Sequence, residues 1–245
     1  MKCLLQKNEK ILSKLTDFRN FLYITWKHLK LPEPTPIQYD LANYLSTGSS
    51  RIIISAYRGC GKSWCTSAYV LWRLLLDPQL NILVVSASKN RADDFSTFCL
   101  RLLSEMDILK HLYPKDTQRQ SKISFDVAPA LASHQPSVKS LGITSQLTGS
   151  RADLIIADDI ETSGNTQTQL MRDKLSEAIK EFEAIIKPDT SRIVFLGTPQ
   201  VEQSIYNKLQ ERGYKVQYWT ARYPTENQLK SYASNLAPII GNTWT

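Results

Sequence analysis

Residues 56–63 combine glycines, a lysine and a hydroxyl side chain at a spacing suited to binding phosphate. They follow the pattern G-x-x-x-x-G-K-[ST], with alanine in place of the first glycine. Gly59 and Gly61 would let backbone N–H groups turn toward phosphate oxygens. Lys62 is then suited to reach the β- and γ-phosphates, and the Ser63 hydroxyl to bind Mg²⁺. A strand–turn–helix corner that carries Gly-Lys-Ser by chance is the alternative.

Adjacent carboxylates form a second candidate site, because Asp158 and Asp159 follow the apolar run 154–157. We expect Asp158 to hold Mg²⁺, which takes one or two carboxylates and keeps several waters. Asp159 would orient or deprotonate an attacking water, with Glu161 as the alternative base. A solvated acidic turn would explain the same residues, but two adjacent carboxylates are costly to bury without a cation.

Two polar side chains next to apolar segments complete the candidate residues. Gln38 follows Pro36 and Ile37 at a predicted helix start, upstream of the glycine loop. Its amide is able to donate to and accept from adenine at once, although a plain helix start is the alternative. Thr198 ends an apolar strand, where its hydroxyl is placed to sense the γ-phosphate unless the Gly-Thr-Pro segment is only a turn.

The elements that must position these residues alternate along the chain. Apolar runs predict strands at 52–54, 81–87, 153–157, 191–197 and 214–219, with a strand pair at 121–127 and 137–143. Helical periodicity predicts helices at 8–30, 35–45, 61–76, 91–106, 167–186 and 203–211, with Met171 on the apolar face of the fifth. A strand–helix–strand order predicts an α/β fold with a mostly parallel central sheet flanked by helices.

Charge is distributed unevenly. The chain has 30 Lys and Arg against 23 Asp and Glu, a net charge of +7, which suggests a polyanionic partner. Residues 1–30 carry seven basic and two acidic side chains, while residues 151–183 carry four and eight, so the acidic region is where magnesium ligands are expected. The helix at 8–30 is expected to pack on the main domain with a solvated basic face, direct DNA contact being the alternative.

The four cysteines contain no C-x-x-C pair, which favours reduced thiols over a disulfide framework or a zinc site. No apolar run approaches the ~18 residues of a membrane span.

Taken together, six segments resemble the ATPase half of phage large terminases, of the kind also called DNA maturase B in short-tailed phages. They are Pro-Ile-Gln at 36–38, Ala-Tyr-Arg-Gly-Cys-Gly-Lys-Ser at 56–63, Val-Val-Ser-Ala-Ser-Lys at 84–89, Gln-Leu-Thr-Gly-Ser-Arg-Ala-Asp at 146–153, Ile-Ile-Ala-Asp-Asp at 155–159 and Leu-Gly-Thr-Pro at 196–199. The set covers residues from about 35 to 225 in the order of the family.

This resemblance implies a P-loop NTPase of the additional-strand (RecA-like) type that hydrolyses ATP with Mg²⁺ to translocate double-stranded DNA into a procapsid. It implies a homo-oligomeric ring, contacts with the portal and the small terminase subunit, non-specific contacts to the DNA backbone, and action in the host cytoplasm. Arg58 matches an arginine of the family's phosphate loop and Thr198 its coupling motif. Arg151 is the candidate for an arginine reaching the neighbouring subunit's site, with Arg101 and Lys139 as alternatives.

Two departures from the family pattern matter. Many relatives have Asp-Glu where this chain has Asp158-Asp159, which leaves the base open between Asp159 and Glu161. The family's C-terminal RNase H-like nuclease has no counterpart after residue 225. We therefore expect a fragment without cutting activity, with a basic helical segment at 1–34, an ATPase domain at 35–220 and a linker at 221–245.

A DEAD-box-like helicase domain and a DNA clamp that binds ATP without turnover are the alternative functions. The expected nucleotide contacts are Gln38, Ala56, Tyr57, Arg58, Gly59, Cys60, Gly61, Lys62, Ser63 and Trp64. The expected catalytic residues are Lys62, Asp159, Arg58, Thr198, Glu161 and Arg151, and the metal ligands are Ser63 and Asp158.

Overall fold

A single seven-stranded sheet forms the centre of the computed structural model, which describes residues 13–188, 191–199, 201 and 203–242. Its strands are β1 Arg51–Ala56, β2 Ile82–Ser86, β3 Ser124–Phe125, β4 Val138–Gly142, β5 Leu154–Asp158, β6 Arg192–Gly197 and β7 Lys215–Trp219. They lie in the order β3-β4-β2-β5-β6-β1-β7. Every neighbouring pair is parallel except β3 with β4, so the prediction of a mostly parallel sheet is confirmed.

Helices cover both faces of the sheet. They are α1 Phe18–His28, α2 Pro36–Thr47, α3 Lys62–Leu76, α4 Lys89–Glu105, α5 Ser163–Thr166, α6 Gln169–Ile185, α7 Ile205–Glu211, α8 Glu226–Tyr232 and α9 Pro238–Asn242. Side chains alternate along a strand, so Ile52 and Ile54 join the apolar cluster on the side of α1 to α4. Ile53 joins the opposite cluster with α6 and α7. Both faces are buried, which explains the unbroken β-branched runs.

The predicted helix at 8–30 is not continuous in the described residues. Asp17 has an extended backbone and its carboxylate accepts a hydrogen bond from Arg19 N, so α1 begins at Phe18. Residues 8–12 of that prediction lie outside the described part of the chain. The apolar face beyond the cap is buried as expected, with Phe18 and Leu22 fully buried in the cluster that also contains α3.

Two other local predictions need correction. Met171 is predicted to lie in the core, but 38% of it is exposed, because it borders a cavity at the first turn of α6. The strand pair is real but short, since β3 has only two residues. The chain between β3 and β4 is anchored by side chains: Ser137 Oγ accepts from Val127 N at 3.1 Å.

The segment predicted as a linker at 221–245 forms short helices in its described part. Ala237 N donates to Tyr218 O at 2.9 Å, and Ala237 and Ile240 are buried in the cluster that also holds α2. Tyr232 packs against Tyr218 with ring centroids 4.8 Å apart. This segment therefore covers the outer edge of the sheet beside β7.

Arg192, the first residue of β6, is buried against the end of α2. Its guanidinium donates to backbone carbonyls of Ser49, Gly48 and Leu45, and to Tyr69 Oη at 2.8 Å. Carbonyls in the last turn of a helix have no partner within the helix. Arg192 therefore ties the C-terminal end of α2 to the sheet.

The described cysteines, Cys60, Cys65 and Cys99, are free and buried, as the absence of paired motifs predicted. Among the residues that the structure describes, no helix combines the length and the apolar composition needed to cross a membrane.

Candidate nucleotide-binding site

The carboxyl ends of β1, β5 and β6 meet at one edge of the sheet, beside the N-terminal end of α3. Residues 57–61, which connect β1 to α3, arch over this edge and border a cavity of about 580 Å³. Its lining combines the loop with acidic and basic side chains: Arg58, Gly59, Gly61, Lys62, Ser63, Trp64, Arg91, Asp159, Glu161, Thr162 and Ser163. Ligands of open parallel sheets bind at this edge.

The loop has the geometry that the motif predicted. Gly59 and Gly61 both have φ of +88°, a region that residues with a Cβ rarely adopt. Lys62 Nζ is buried and donates to Ala56 O at 2.6 Å and to Tyr57 O at 3.1 Å, so the lysine lies across the mouth of the loop. Ala56 has no positive φ, which explains why alanine is accepted where the pattern has glycine.

Both amide atoms of Gln38 contact protein in this structure. Its Oε1 accepts from Thr35 N at 2.9 Å, completing a capping box at the start of α2. Its Nε2 donates to Cys60 O at 3.0 Å, inside the loop. A Cβ at Gly61 would lie 2.8 Å from Gln38 Nε2, so a larger residue there would displace this amide in addition to straining the positive φ. These contacts give Gln38 a role in holding the loop, in addition to the predicted reading of adenine.

Ser63 and Asp158 meet although 94 residues lie between them. Ser63 Oγ donates to Asp158 Oδ2 at 2.8 Å, which joins the start of α3 to the end of β5. Burial, followed by the charge of Asp159, raises the pKa of Asp158 to about 6, and the Ser63 hydrogen bond and Lys62 oppose this. The carboxylate is therefore destabilised in the absence of a further positive charge.

The same pair fits a magnesium ion. Asp158 Oδ1 is buried and receives no hydrogen bond from any described residue, so one carboxylate oxygen is available for a cation. No group of three or more His, Cys, Asp or Glu side chains with metal-binding geometry occurs in the described ranges. Mg²⁺ is commonly held by one or two protein ligands together with nucleotide phosphates and water.

Asp159 is held in a backbone conformation that is uncommon for a residue with a side chain. Its φ is +47°, which turns the chain sharply at the end of β5. Its carboxylate borders the cavity and lies 3.9 Å from the guanidinium of Arg91. The turn therefore directs Asp159 toward the space in front of the loop, as a water-activating base requires.

Glu161 is buried against the start of α7. Its Oε2 accepts from Ser204 Oγ at 2.8 Å and from Ile205 N at 2.9 Å. Both contacts anchor this carboxylate to the start of α7, away from an attacking water, which favours Asp159 over Glu161 as the base. Sequence alone had left these two residues as alternatives.

Thr198 lies beyond the end of β6 and contacts the loop. Its Oγ1 donates to Ala56 O at 3.0 Å, the carbonyl that also accepts from Lys62. The hydroxyl thus links the tip of β6 to the end of β1, just before the phosphate loop, and its predicted role at the γ-phosphate stays a prediction.

A family model described as "Terminase large subunit, T4likevirus-type, N-terminal" matches residues 53–206, which include the loop, the acidic turn and Thr198. This chain belongs to the terminase large-subunit family. The large terminase subunit of Enterobacteria phage T3 is 50% identical to this chain over 228 residues, which cover 91% of the chain and 39% of that protein. The chain thus spans well under half the length of this relative.

Solved structures are similar to this terminase domain at low sequence identity. Dbp5 of S. cerevisiae, bound to gle1 and IP6, overlaps with a TM-score of 0.52 at 12% identity, covering 82% of this chain and 50% of that one. A mutant ATPase domain of the Thermus phage P74-26 large terminase overlaps with a TM-score of 0.47 at 12% identity, covering 74% and 71%. The first likeness shows the fold alone, and the second is too weak to carry an argument.

Some of the remaining candidate site residues line the cavity, and others lie away from it. Arg58 and Trp64 line the cavity, and 42% of Trp64 is exposed. Arg151 precedes β5 and so lies at the opposite edge of the sheet, where its side chain donates to Ala184 O at 3.3 Å. The alternatives are also away from the loop: Arg101 pairs with Glu105 on α4, and Lys139 Nζ donates to Ser150 Oγ. None of these three contacts the cavity within its own subunit, and their predicted role in a neighbour's site stays a prediction.

Arg91 was missed by the sequence analysis. It lies in the first turn of α4, just after the carboxyl end of β2, and lines the cavity. The signal was present, because parallel strands deliver the residues that follow them to one edge. The segment was interpreted only as a helix start.

Proposed function

We propose that this terminase domain binds ATP with Mg²⁺ and hydrolyses it, and that the whole large subunit couples hydrolysis to translocation of double-stranded DNA. The single observation that carries the proposal is the 2.8 Å contact between Ser63 Oγ and Asp158 Oδ2 beside the buried Lys62. It joins the two segments that P-loop ATPases use for phosphate and metal.

In the proposed reaction, the loop N–H groups and Lys62 hold the β- and γ-phosphates. Ser63 and Asp158 would hold Mg²⁺, which would neutralise charge on the phosphate oxygens. A water oxygen forms a bond to the γ-phosphorus while the bond from that phosphorus to the β–γ bridging oxygen breaks, leaving its electrons on ADP. Asp159 accepts the proton of the water. Arg58 lines the cavity and would add positive charge beside the γ-phosphate.

The partners are proposed on the family relationship. The T3 relative is a large terminase subunit, so we propose a ring of subunits on a portal and procapsid in the host cytoplasm, with the small terminase subunit as partner. The net charge of +7 is consistent with contacts to DNA phosphates. Arg151 remains our candidate for the residue that enters a neighbouring site.

Phosphate release from ATP by the 245-residue chain tests the proposal, with Lys62→Ala as the decisive variant and Lys180→Ala as control. Lys180 Nζ pairs with Glu177 on the exposed side of α6, so its loss should leave turnover unchanged. Lys62→Ala should abolish it. Wild-type chain that binds ATP but never releases phosphate would favour the clamp, and ATP-dependent unwinding of a duplex would favour the helicase.

A further inference from the structure

Tyr206, in the first turn of α7, lies directly beneath the proposed catalytic centre. Only 2% of the residue is exposed, and its ring packs edge-on to Phe195 of β6. Its hydroxyl reaches the backbone of Gly197, where a Cβ would collide with Tyr206 Oη. Gly197 immediately precedes Thr198, so Tyr206 supports the strand tip that carries the hydroxyl contacting the loop.

The hydroxyl of Tyr206 has no hydrogen-bond partner of acceptable geometry among the described residues. Burial, followed by the nearby charges of Glu161 and Asp159, raises its pKa well above the ordinary value of 10, and the backbone N–H of Glu161 opposes this. The group is therefore a protonated donor that faces carboxylates without donating to one. Native proteins leave few buried polar groups in this condition, because it destabilises the fold.

The start of α7 already binds the acidic turn at another point. Ser204 and Ile205 donate to Glu161, and Tyr206 follows them in the chain. One short segment thus contacts both the turn 158–161 and the tip of β6. If nucleotide binding moved the turn 158–161, this segment would transmit the movement to the tip of β6 that carries Thr198.

We propose that Tyr206 is a positioning residue whose hydroxyl donates to a carboxylate of the turn 158–161 only when nucleotide and metal draw that turn together. The new hydrogen bond would fix Asp159 toward the attacking water and join the turn to the strand tip that carries Thr198. This inference rests on the proposed ATPase function and adds a residue outside the nucleotide motifs.

The test compares Tyr206→Phe with Tyr214→Phe. Both tyrosines belong to the same apolar cluster and pack edge-on to Phe195. The Tyr214 hydroxyl, however, already donates to Glu183 Oε1 at 2.7 Å. Each variant removes a tyrosine hydroxyl. The hydroxyl of Tyr214 has a hydrogen-bond partner, whereas that of Tyr206 has none among the described residues.

Three measurements are made on the 245-residue chain. They are the melting temperature without ligand, the increase in melting temperature (the gain) on addition of Mg²⁺ and AMP-PNP, and the kcat and KM for ATP. Tyr206→Phe should melt at or above the wild-type temperature, show a smaller gain, and lose about tenfold or more in kcat with KM nearly unchanged. Tyr214→Phe should melt lower, with a wild-type gain and kcat.

A Tyr206→Phe chain with wild-type kcat and gain would overturn the inference, as would one that simply melts lower in the manner of Tyr214→Phe. If the wild-type chain gains stability from AMP-PNP without hydrolysing ATP, the proposed hydrolysis fails, and the two gains still decide the role of Tyr206. A wild-type chain that gains nothing overturns both.

Discussion

Replacing Asp158 by asparagine should stabilise the nucleotide-free domain at neutral pH while it abolishes magnesium-dependent turnover. The side chain is buried, one of its oxygens has no partner among the described residues, and Asp159 is adjacent. Asparagine has nearly the same shape but carries no charge. The variant therefore removes the cost of burying the carboxylate together with its capacity to hold a metal.

The size of the stabilisation expected for Asp158→Asn follows from the pKa of Asp158. Burial is the main cause that raises the pKa of Asp158 from 3.8 to about 6. Each pKa unit is worth about 1.4 kcal/mol, so ionising this group in the folded chain costs about 3 kcal/mol. At a pH between the unfolded and the folded pKa of Asp158, the unfolded chain binds fewer protons than the folded one. The free energy of unfolding therefore falls as pH rises through this range. The loss is complete above the folded pKa and absent below pH ~4.

The assay is thermal unfolding in EDTA without nucleotide, from acidic to neutral pH. For a chain of this size, about 3 kcal/mol corresponds to roughly 6 to 12 °C, so Asp158→Asn should melt higher by that amount at pH ~7 and converge with the wild type near pH ~4. Asp153→Asn is the matched control at the other end of β5. Asp153 Oδ2 accepts from Lys187 Nζ and Asn81 N, both at 2.8 Å, so that variant should melt lower.

The reasoning is refuted if Asp158→Asn melts at or below the wild-type temperature at neutral pH, or if the difference persists unchanged in acid. Full ATP turnover by Asp158→Asn would refute its assignment as a metal ligand. Thermal unfolding measures the cost of burying the carboxylate, and ATP turnover measures metal binding. A negative result in one assay therefore leaves the other interpretable.

Three further predictions use other contacts of the site and its support. Gln38→Ala should raise the KM for ATP, since the loop loses its contact at Cys60 O; an equal rise for GTP would assign Gln38 to the loop alone, and a lost preference for ATP would assign it to the base. Thr198→Val should retain ATP binding in a filter assay but slow phosphate release, because the link to the loop is lost; unaltered turnover would contradict this. Arg192→Met should lower the unfolding free energy in urea by about 2–4 kcal/mol, since buried carbonyls lose their donor, whereas Arg101→Met at an exposed helix pair should change it little.

Backbone architecture was readable from local patterns. Runs such as 52–54 and 154–157 are continuous and β-branched or apolar, which is typical of strands buried on both faces. The structure has strands there, and the alternation with helices makes them parallel. Parallel order alone then brings Lys62, Asp158 and Thr198 to one edge.

Errors occurred where a pattern continued past a local signal. The 3.6-residue period runs through Asp17, yet its carboxylate caps a new helix there. Met171 fits the apolar face of α6, but in the first turn of that helix it borders a cavity and stays partly exposed. Periodicity describes which residues share a face and contains no information about what lies opposite.

The sequence by itself determined which segments carry the chemistry. They are a phosphate loop, an acidic strand end and a strand that ends in a hydroxyl residue, and each is encoded by residues that are neighbours in the chain. Only the tertiary structure decided what individual atoms do. It anchors Glu161 to α7, gives both amide atoms of Gln38 protein partners, and places Tyr206 beneath the acidic turn without an acceptor. Such contacts join segments far apart in sequence, and their geometry depends on how whole helices pack against the sheet, which no local pattern specifies.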